Sequence, residues 1–470
     1  MDKLTKLSQH FQANGLVPMQ RKAGGRKNNT KAFTFEDTGH TVRFIKNFAH
    51  DHGLCLPGRV PGFKRDDITI LPSAYTKHRV YRLYEDYARA TGRRVICKSS
   101  FKQLWLELCP FVVVAKPMTD LCWKCQSNNN KIFRSANMTN AEKNALLQEQ
   151  QRHLSQVDEE RALYKRMRDQ AQVVAGENNL SQLETTPPNS RPVHMHYSFD
   201  FAQQVHYPNM AAQPGPLYFL TPRKCGVFGA HCEGVKQQIN YLIDEGISAG
   251  KGSNAVISYL HHFFATFGLG ETSADLHCDN CAGQNKNRWV LFYFAWRIQQ
   301  GLHSEVTLNF MPPGHTKFAP DQYFGMFKKT YRREHVSCLE DIAKAVTMST
   351  AEAKSNRAQL VGLEDGTVLV PTYDWQAFLA PAYKTLQGIK PIGHFRFTSQ
   401  DPGACFYRTT LADQEKKFQM AVQHEVERLP PMPQQILPPG LPRARQVYLH
   451  DHIREFVAAH KRDLVCPKPL

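Results

Sequence analysis

Three aspartates stand in settings where a carboxylate could do metal-assisted chemistry. Asp200 interrupts an apolar, aromatic run, Tyr197-Ser198-Phe199-Asp200-Phe201-Ala202. A carboxylate drawn into such a run is costly unless it is paired or ligated. Asp279 precedes Asn280 and a Gly283-Gln284-Asn285 loop, and Asp321 follows Ala319-Pro320 at an expected helix start. Turns and helix N-termini also favour Asp for local reasons, and Glu334, near the end of the same helix, is the alternative third acid. Hard oxygen ligands suit Mg²⁺ or Mn²⁺. Two such ions about 4 Å apart stabilise both the attacking and the leaving oxygen of a phosphodiester displacement.

A second chemistry is carried by Cys122-Trp123-Lys124-Cys125. Two thiolates at this spacing grip one face of a tetrahedral Zn²⁺, and a histidine on a later helix, here His153, is the usual completion. The fourth ligand is open among Cys109, His194 and His196. The chain has 12 cysteines and no apolar stretch behind its first residues to read as a secretory signal. Reduced thiols or a metal site are therefore expected rather than a disulfide framework.

The elements that must position the acids lie between residues 192 and 350. His194–Gln203 predicts a strand bearing Asp200, and Leu217–Thr221 and Gly226–Glu233 predict two more. Ala255–Phe267 predicts a helix, Asp275–Cys278 a strand ending at Asp279, and Arg288–Gln299 an apolar, aromatic helix. Glu305–Phe310 follows as a strand and Pro320–Arg332 as a helix with proline in its first turn. The order β-β-β-α-β-α-β-α is that of the ribonuclease-H-like α/β fold, a mixed five-stranded sheet with flanking helices. In that fold the first and fourth strands are neighbours and the last helix packs across their ends, so Asp200, Asp279 and Asp321 would converge.

Two longer motifs carry a resemblance. His277-Cys278-Asp279-Asn280-Cys281-Ala282-Gly283-Gln284-Asn285-Lys286-Asn287 and Gly314-His315-Thr316-Lys317-Phe318-Ala319-Pro320-Asp321-Gln322-Tyr323-Phe324-Gly325 resemble an integrase-like, DDE-type domain that recurs in transposon-derived animal proteins. The match covers roughly residues 190–350, and 373–376 and 394–407 look like that family's trailing region. The resemblance implies Asp200, Asp279 and Asp321 as catalytic, Mg²⁺-holding acids. It implies Asn280, His315 and Lys317 as residues beside them or on DNA, and a Cys-x-x-Cys-then-His zinc element. A DNA transposase or a protein derived from one is the implied function, by Mg²⁺-dependent strand cleavage and strand transfer. The alternatives are a domesticated, catalytically inert DNA-binding protein and a zinc-containing interaction protein.

Charge agrees with a polyanionic partner. The chain carries 59 Lys+Arg against 42 Asp+Glu, a net charge of +17, and residues 1–125 alone hold 22 basic and 10 acidic side chains. Such asymmetry suits nucleic acid. Helical patterns at Glu36–His52, Ala74–Thr91 and Phe101–Leu108, the last with Ser99 as its expected N-cap, predict an all-α, helix-turn-helix-like region. Arg79, Arg82, Arg93, Arg94, Lys98 and Lys102 are its candidate DNA contacts. The apolar run Val290–Trp296 is far short of the ~18 residues of a membrane span, so a soluble, intracellular protein is expected, and the transposase resemblance implies a nuclear one. Its partners would be transposon-end and target DNA and a second copy of itself. The expected organisation is a flexible basic leader at 1–31, the DNA-binding region at 32–110 and the zinc element with a long helix at 111–177. A linker at 178–191 leads to the core at 192–350, its extension at 351–429 and a proline-rich tail with a terminal helix at 430–470.

Overall fold

The computed structural model describes residues 3–17, 33–53, 68–115, 122–133, 138–351 and 354–469. The chain divides into two compact units, Met1–Thr119 with Asn129–Lys143, and Asp120–Asn128 with Asn144–Leu470.

In the first unit the expected leader carries helix α1 (Lys3–Asn14), whose Leu4, Leu7 and Phe11 are exposed. The basic stretch 21–29 lies outside the described residues. Helix α2 (Phe35–His52) opens with a reciprocal cap: Thr34 Oγ1 accepts from the Asp37 amide and the Asp37 carboxylate accepts from the Thr34 amide, both at 3.0 Å. Strand β1 (Thr69–Leu71), helices α3 (Lys77–Ala90) and α4 (Lys98–Leu108) and strand β2 (Val112–Val114) follow. Ile45, Phe48, Val80, Tyr84, Phe101 and Trp105 form the core. The parallel pairing of β1 with β2 was not expected from the sequence. Helix α4 starts at Lys98 with Cys97 as its N-cap residue, two residues earlier than the expected Ser99 cap. The Ser99 and Ser100 hydroxyls lie 3.1 and 3.2 Å from the Cys97 sulfur.

Helices α5 (Trp123–Phe133) and α6 (Asn140–Glu177) precede the second unit's sheet. Residues 178–191 are not a free linker: Leu183 and Thr186 are buried, and the Leu183 amide donates to Gln237 at 2.8 Å. Then come β3 (Arg191–Tyr207), the single turn α7 (Gly215–Tyr218), β4 (Arg223–Cys232), β5 (Gln237–Asp244), α8 (Ser253–Thr266), β6 (Glu271–Cys278), α9 (Arg288–Gln299), β7 (Glu305–Phe310), α10 (Ala319–Tyr331), α11 (Leu339–Thr347) and β8 (Asn356–Leu360). The chain continues through β9 (Thr372–Tyr373), α12 (Trp375–Leu379), β10 (His394–Thr398), β11 (Ala404–Arg408) and β12 (Lys416–Gln419).

One expected strand is corrected. Leu217–Thr221 cannot join a ladder, because Pro214-Gly215-Pro216 turns the chain into α7. The second and third strands of the core are β4 and β5, joined by a turn in which Lys236 takes φ +56°.

The unit is a mixed α/β structure built on nine strands in the order β12-β11-β10-β7-β6-β3-β4-β5-β8. Strands β3, β6 and β7 are parallel neighbours, β4 is antiparallel to β3 and β5, and β10 extends one edge antiparallel to β7. The sheet is thus four strands wider than the five expected; β10–β12 and β8 supply the rest. Side chains alternate across it. Met195, Tyr197 and Phe199 face the apolar core with α8 and α9. His196, Ser198 and Asp200 face the other way, the side on which α10 packs against β3 and β4.

Candidate metal centre and acid cluster

Cys122, at the residue before α5, Cys125 within it, His153 of α6 and His315 of the β7–α10 loop bring their ligand atoms within 4.8 Å of one another. The Cys122 sulfur lies 3.3 Å from His153 Nε2 and the Cys125 sulfur 3.5 Å from His315 Nε2. Zn–S near 2.3 Å and Zn–N near 2.05 Å at a tetrahedral angle would set sulfur and nitrogen about 3.5 Å apart. The donor set and spacing therefore fit a structural zinc. Burial, then neighbouring His153 and Arg161, brings the His315 imidazole down to about 4, against Asp158, which raises it. Burial and then Lys124 likewise lower His153, against Glu149. Both shifts favour the neutral ring that a metal ligand must present. Burial raises the Cys125 thiol, the cost of holding a thiolate there without a cation.

Gly314 makes this meeting sterically feasible. It adopts φ +79°, and a Cβ there would sit 2.4 Å from the Cys122 Cα. Only glycine gives both the left-handed turn and the close approach.

His315 was expected beside the acids or on DNA; the structure places it in the Cys/His cluster as the fourth member. The residues considered for that place lie elsewhere. Cys109 is buried in the core of the first unit. His194 Nε2 is 2.8 Å from the Asp275 carboxylate, and His196 Nε2 is 2.8 Å from His277 Nδ1. No local spacing could have found His315, which is 190 residues from Cys125. The one signal was Pro312-Pro313-Gly314, a turn immediately before a histidine.

The acids come from three elements. Asp200 is in the middle of β3, and in the β3–β6 register Ser198 pairs with His277, so Asp279, the residue after β6, stands level with Asp200 on the neighbouring strand. Burial, then Asp279, then Asp321, pushes the Asp200 carboxyl up to about 7, against the Phe201 amide, which lowers it. Asp279 Oδ1 accepts from the Cys281 amide at 3.0 Å and from Asn285 Nδ2 at 2.6 Å. Asp321 is exposed in the first turn of α10 and its Oδ2 accepts from the Phe318 amide at 3.1 Å, so it also caps the helix. Loss of surrounding water and repulsion from Asp279 raise its carboxyl, against the Phe318 amide and Lys317. Glu334 is exposed beyond α10, and it is Asp321 whose charge acts on Asp200.

Around them, Asn280 Nδ2 donates to the Met311 carbonyl at 2.5 Å, and Lys286 Nζ donates to Asn280 Oδ1 at 2.9 Å. Gly229 lies opposite Asp200 on β4; a Cβ there would meet the Phe324 ring at 2.7 Å. Its absence lets α10 lie close to the acids. Sequence reasoning missed Lys286, Asn285 and Gly229 in these supporting parts.

In the first unit, Lys98, burial, Arg82 and Lys102, in that order, lower the His78 imidazole, so these cations gather around it. Arg93 pairs with Glu36 at 2.7 Å and Arg94 with Asp37 at 3.4 Å. Arg79 lies over the Tyr75 ring. No helix among the described residues is long and apolar enough to cross a membrane.

Residues 221–413, less than half of the chain, match the model of a domain of unknown function (DUF7869). No curated protein and no solved structure matches the chain.

Proposed function

We propose that this chain is a DNA transposase, or a protein derived from one, with a ribonuclease-H-like core of the integrase type. The strand order β7-β6-β3-β4-β5, with β4 alone antiparallel to its neighbours, supports that core. The observation that carries the function is the level placing of Asp200 and Asp279 on adjacent strands, with Asp321 at the start of α10 near enough for its charge to raise the Asp200 carboxyl.

Burial first, and then repulsion from Asp279 and Asp321, raises the Asp200 carboxyl, and a divalent cation held by the three hard carboxylates would keep them ionised. Mg²⁺ or Mn²⁺ bound there would polarise a phosphodiester and stabilise its attacking and leaving oxygens. The chain's own contributions are to fix the acids. Asn285 and the Cys281 amide orient Asp279, the Phe318 amide orients Asp321, and the ladder of β3 with β6 sets Asp200 beside Asp279. Lys286, held by Asn280 and placed over the Phe310 ring, brings a positive charge to the same end of the sheet. In the first unit the cations around His78, on a helix-turn-helix-like pair α3 and α4, would contact phosphates. The substrates would be element-end and target DNA, met in the nucleus by a self-associating protein.

The test compares full-length wild type with Asp200→Asn for Mn²⁺ binding and for cleavage of element-end DNA. Wild type should bind Mn²⁺ and cut, and the variant should lose at least about 10²-fold in rate while still binding DNA. Equal cleavage by both proteins, or no Mn²⁺ bound by either, would refute the proposal.

A further inference from the structure

The metal centre and the acid cluster share one piece of chain. Between the end of β7 at Phe310 and the start of α10 at Ala319 run Met311 to Phe318, and this segment is held at four places. At its beginning the Met311 carbonyl accepts from Asn280, the neighbour of Asp279. In its middle Gly314 lies against the Cys122 backbone and His315 reaches the Cys125 sulfur. At its end Phe318 packs on Tyr164 of α6, and the Ala319 amide lies 3.4 Å from the Tyr164 hydroxyl. The segment then caps itself through Asp321.

Helix α6 therefore touches the segment twice, through His153 by way of the metal ligands and through Tyr164. The two side chains are eleven residues apart, about 16 Å along the helix axis. Apart from that cluster, the segment is held by the Asn280–Met311 hydrogen bond, by the small core of Tyr164, Met311 and Phe318, and by Phe318 against the His277 ring.

We infer that the Cys122–Cys125–His153–His315 centre is a clamp that fixes the β7–α10 segment and so sets where Asp321 stands relative to Asp200 and Asp279. His315 is then a positioning residue, acting on the acid cluster through the chain that joins it to Asp321. The inference rests on the acid-site reading above for its functional meaning, while the clamp itself is measurable without it. Its physical basis is the entropy of a loop: tying its midpoint to two other helices removes the alternative conformations that would let the first turn of α10 fray.

The experiment uses full-length, zinc-loaded protein and two variants, His315→Ala and His315→Cys, the second keeping a fourth zinc ligand. Three quantities are read: zinc per chain, amide hydrogen exchange over residues 311–325 with β5 as a control for the fold, and Mn²⁺ affinity. In His315→Ala, exchange over 311–325 should rise at least about tenfold while β5 is unchanged, and Mn²⁺ binding should weaken by a similar factor. His315→Cys should restore both.

Unchanged exchange over 311–325 in His315→Ala would overturn the clamp, since Tyr164, Met311 and Phe318 would then suffice. Faster exchange in β5 as well, in His315→Ala and in wild type stripped of zinc, would also overturn it, because the centre would then hold the whole core. Absence of Mn²⁺ binding by wild type would instead overturn the acid-site reading, with the exchange result still deciding the clamp.

Discussion

Asp200 shows how a single buried carboxyl can oppose folding. Its carboxyl titrates at about 7 in the native chain, from burial first and then from Asp279 and Asp321, whereas an unfolded aspartate titrates near 3.9. Between those values the native state holds a proton that the unfolded state has released, so stability falls as pH rises through the window. The upper limit of the effect, above pH 7, is about 4 kcal/mol. Metal-free Asp200→Asn should therefore melt several degrees above metal-free wild type at pH 8, with the gap narrowing as pH is lowered toward 4. Thermal denaturation across that range checks it; a gap independent of pH would mean that Asp200 is not the strained group. The setting of Asp200 was legible in the sequence, because an acid inside an apolar strand is anomalous on its face. The partner of Cys125 was not, because His315 is brought to it by tertiary folding alone.

Among the elements, α10 depends on the strand beneath it. Gly229 opposite Asp200 leaves the space that the Phe324 ring occupies, one turn after Asp321. Adding a methyl group there forces the ring or the helix to move, which in a packed core costs about 1–3 kcal/mol. Gly229→Ala should lower the melting temperature and weaken Mn²⁺ binding while the protein keeps one equivalent of zinc. Loss of zinc in that variant would show that the damage is general rather than confined to the seat of α10. The elements themselves were largely readable, since β3, β6, α9, β7 and α10 follow from hydrophobic period and turn residues. The misplaced strand over Leu217–Thr221 arose from treating a short apolar stretch as extended when prolines had already turned it.

For the molecule as a whole, the excess of positive charge is expected to act through the surface around His78. Reversing Lys98 and Lys102 together, as Lys98→Glu/Lys102→Glu in the full-length chain, should weaken DNA binding for all sequences. It should also reduce the slope of log K against log salt by about 2. Binding measured at four or five salt concentrations checks this. An unchanged slope would place the DNA contacts away from α3 and α4. Arg93 and Arg94 already neutralise Glu36 and Asp37, so reversing them would disturb α2 as well and would be the less informative choice.

By itself the sequence determined the alternation of elements in the core, the two acids in or beside strands, the thiol pair with His153, and the uneven charge. Each is local, written in side-chain period, in spacing along one element or in simple composition. The tertiary structure alone decided the four extra strands of the sheet, the identity of the fourth member of the Cys/His cluster, and the choice of Asp321 over Glu334 as the acid that acts on Asp200. These depend on which surfaces meet after the chain has folded, and contacts between residues far apart in sequence leave no period or spacing to read. Gly314 and Gly229 illustrate the boundary: each is an ordinary glycine in the sequence, and each becomes necessary only because another backbone or ring comes to rest where its side chain would be.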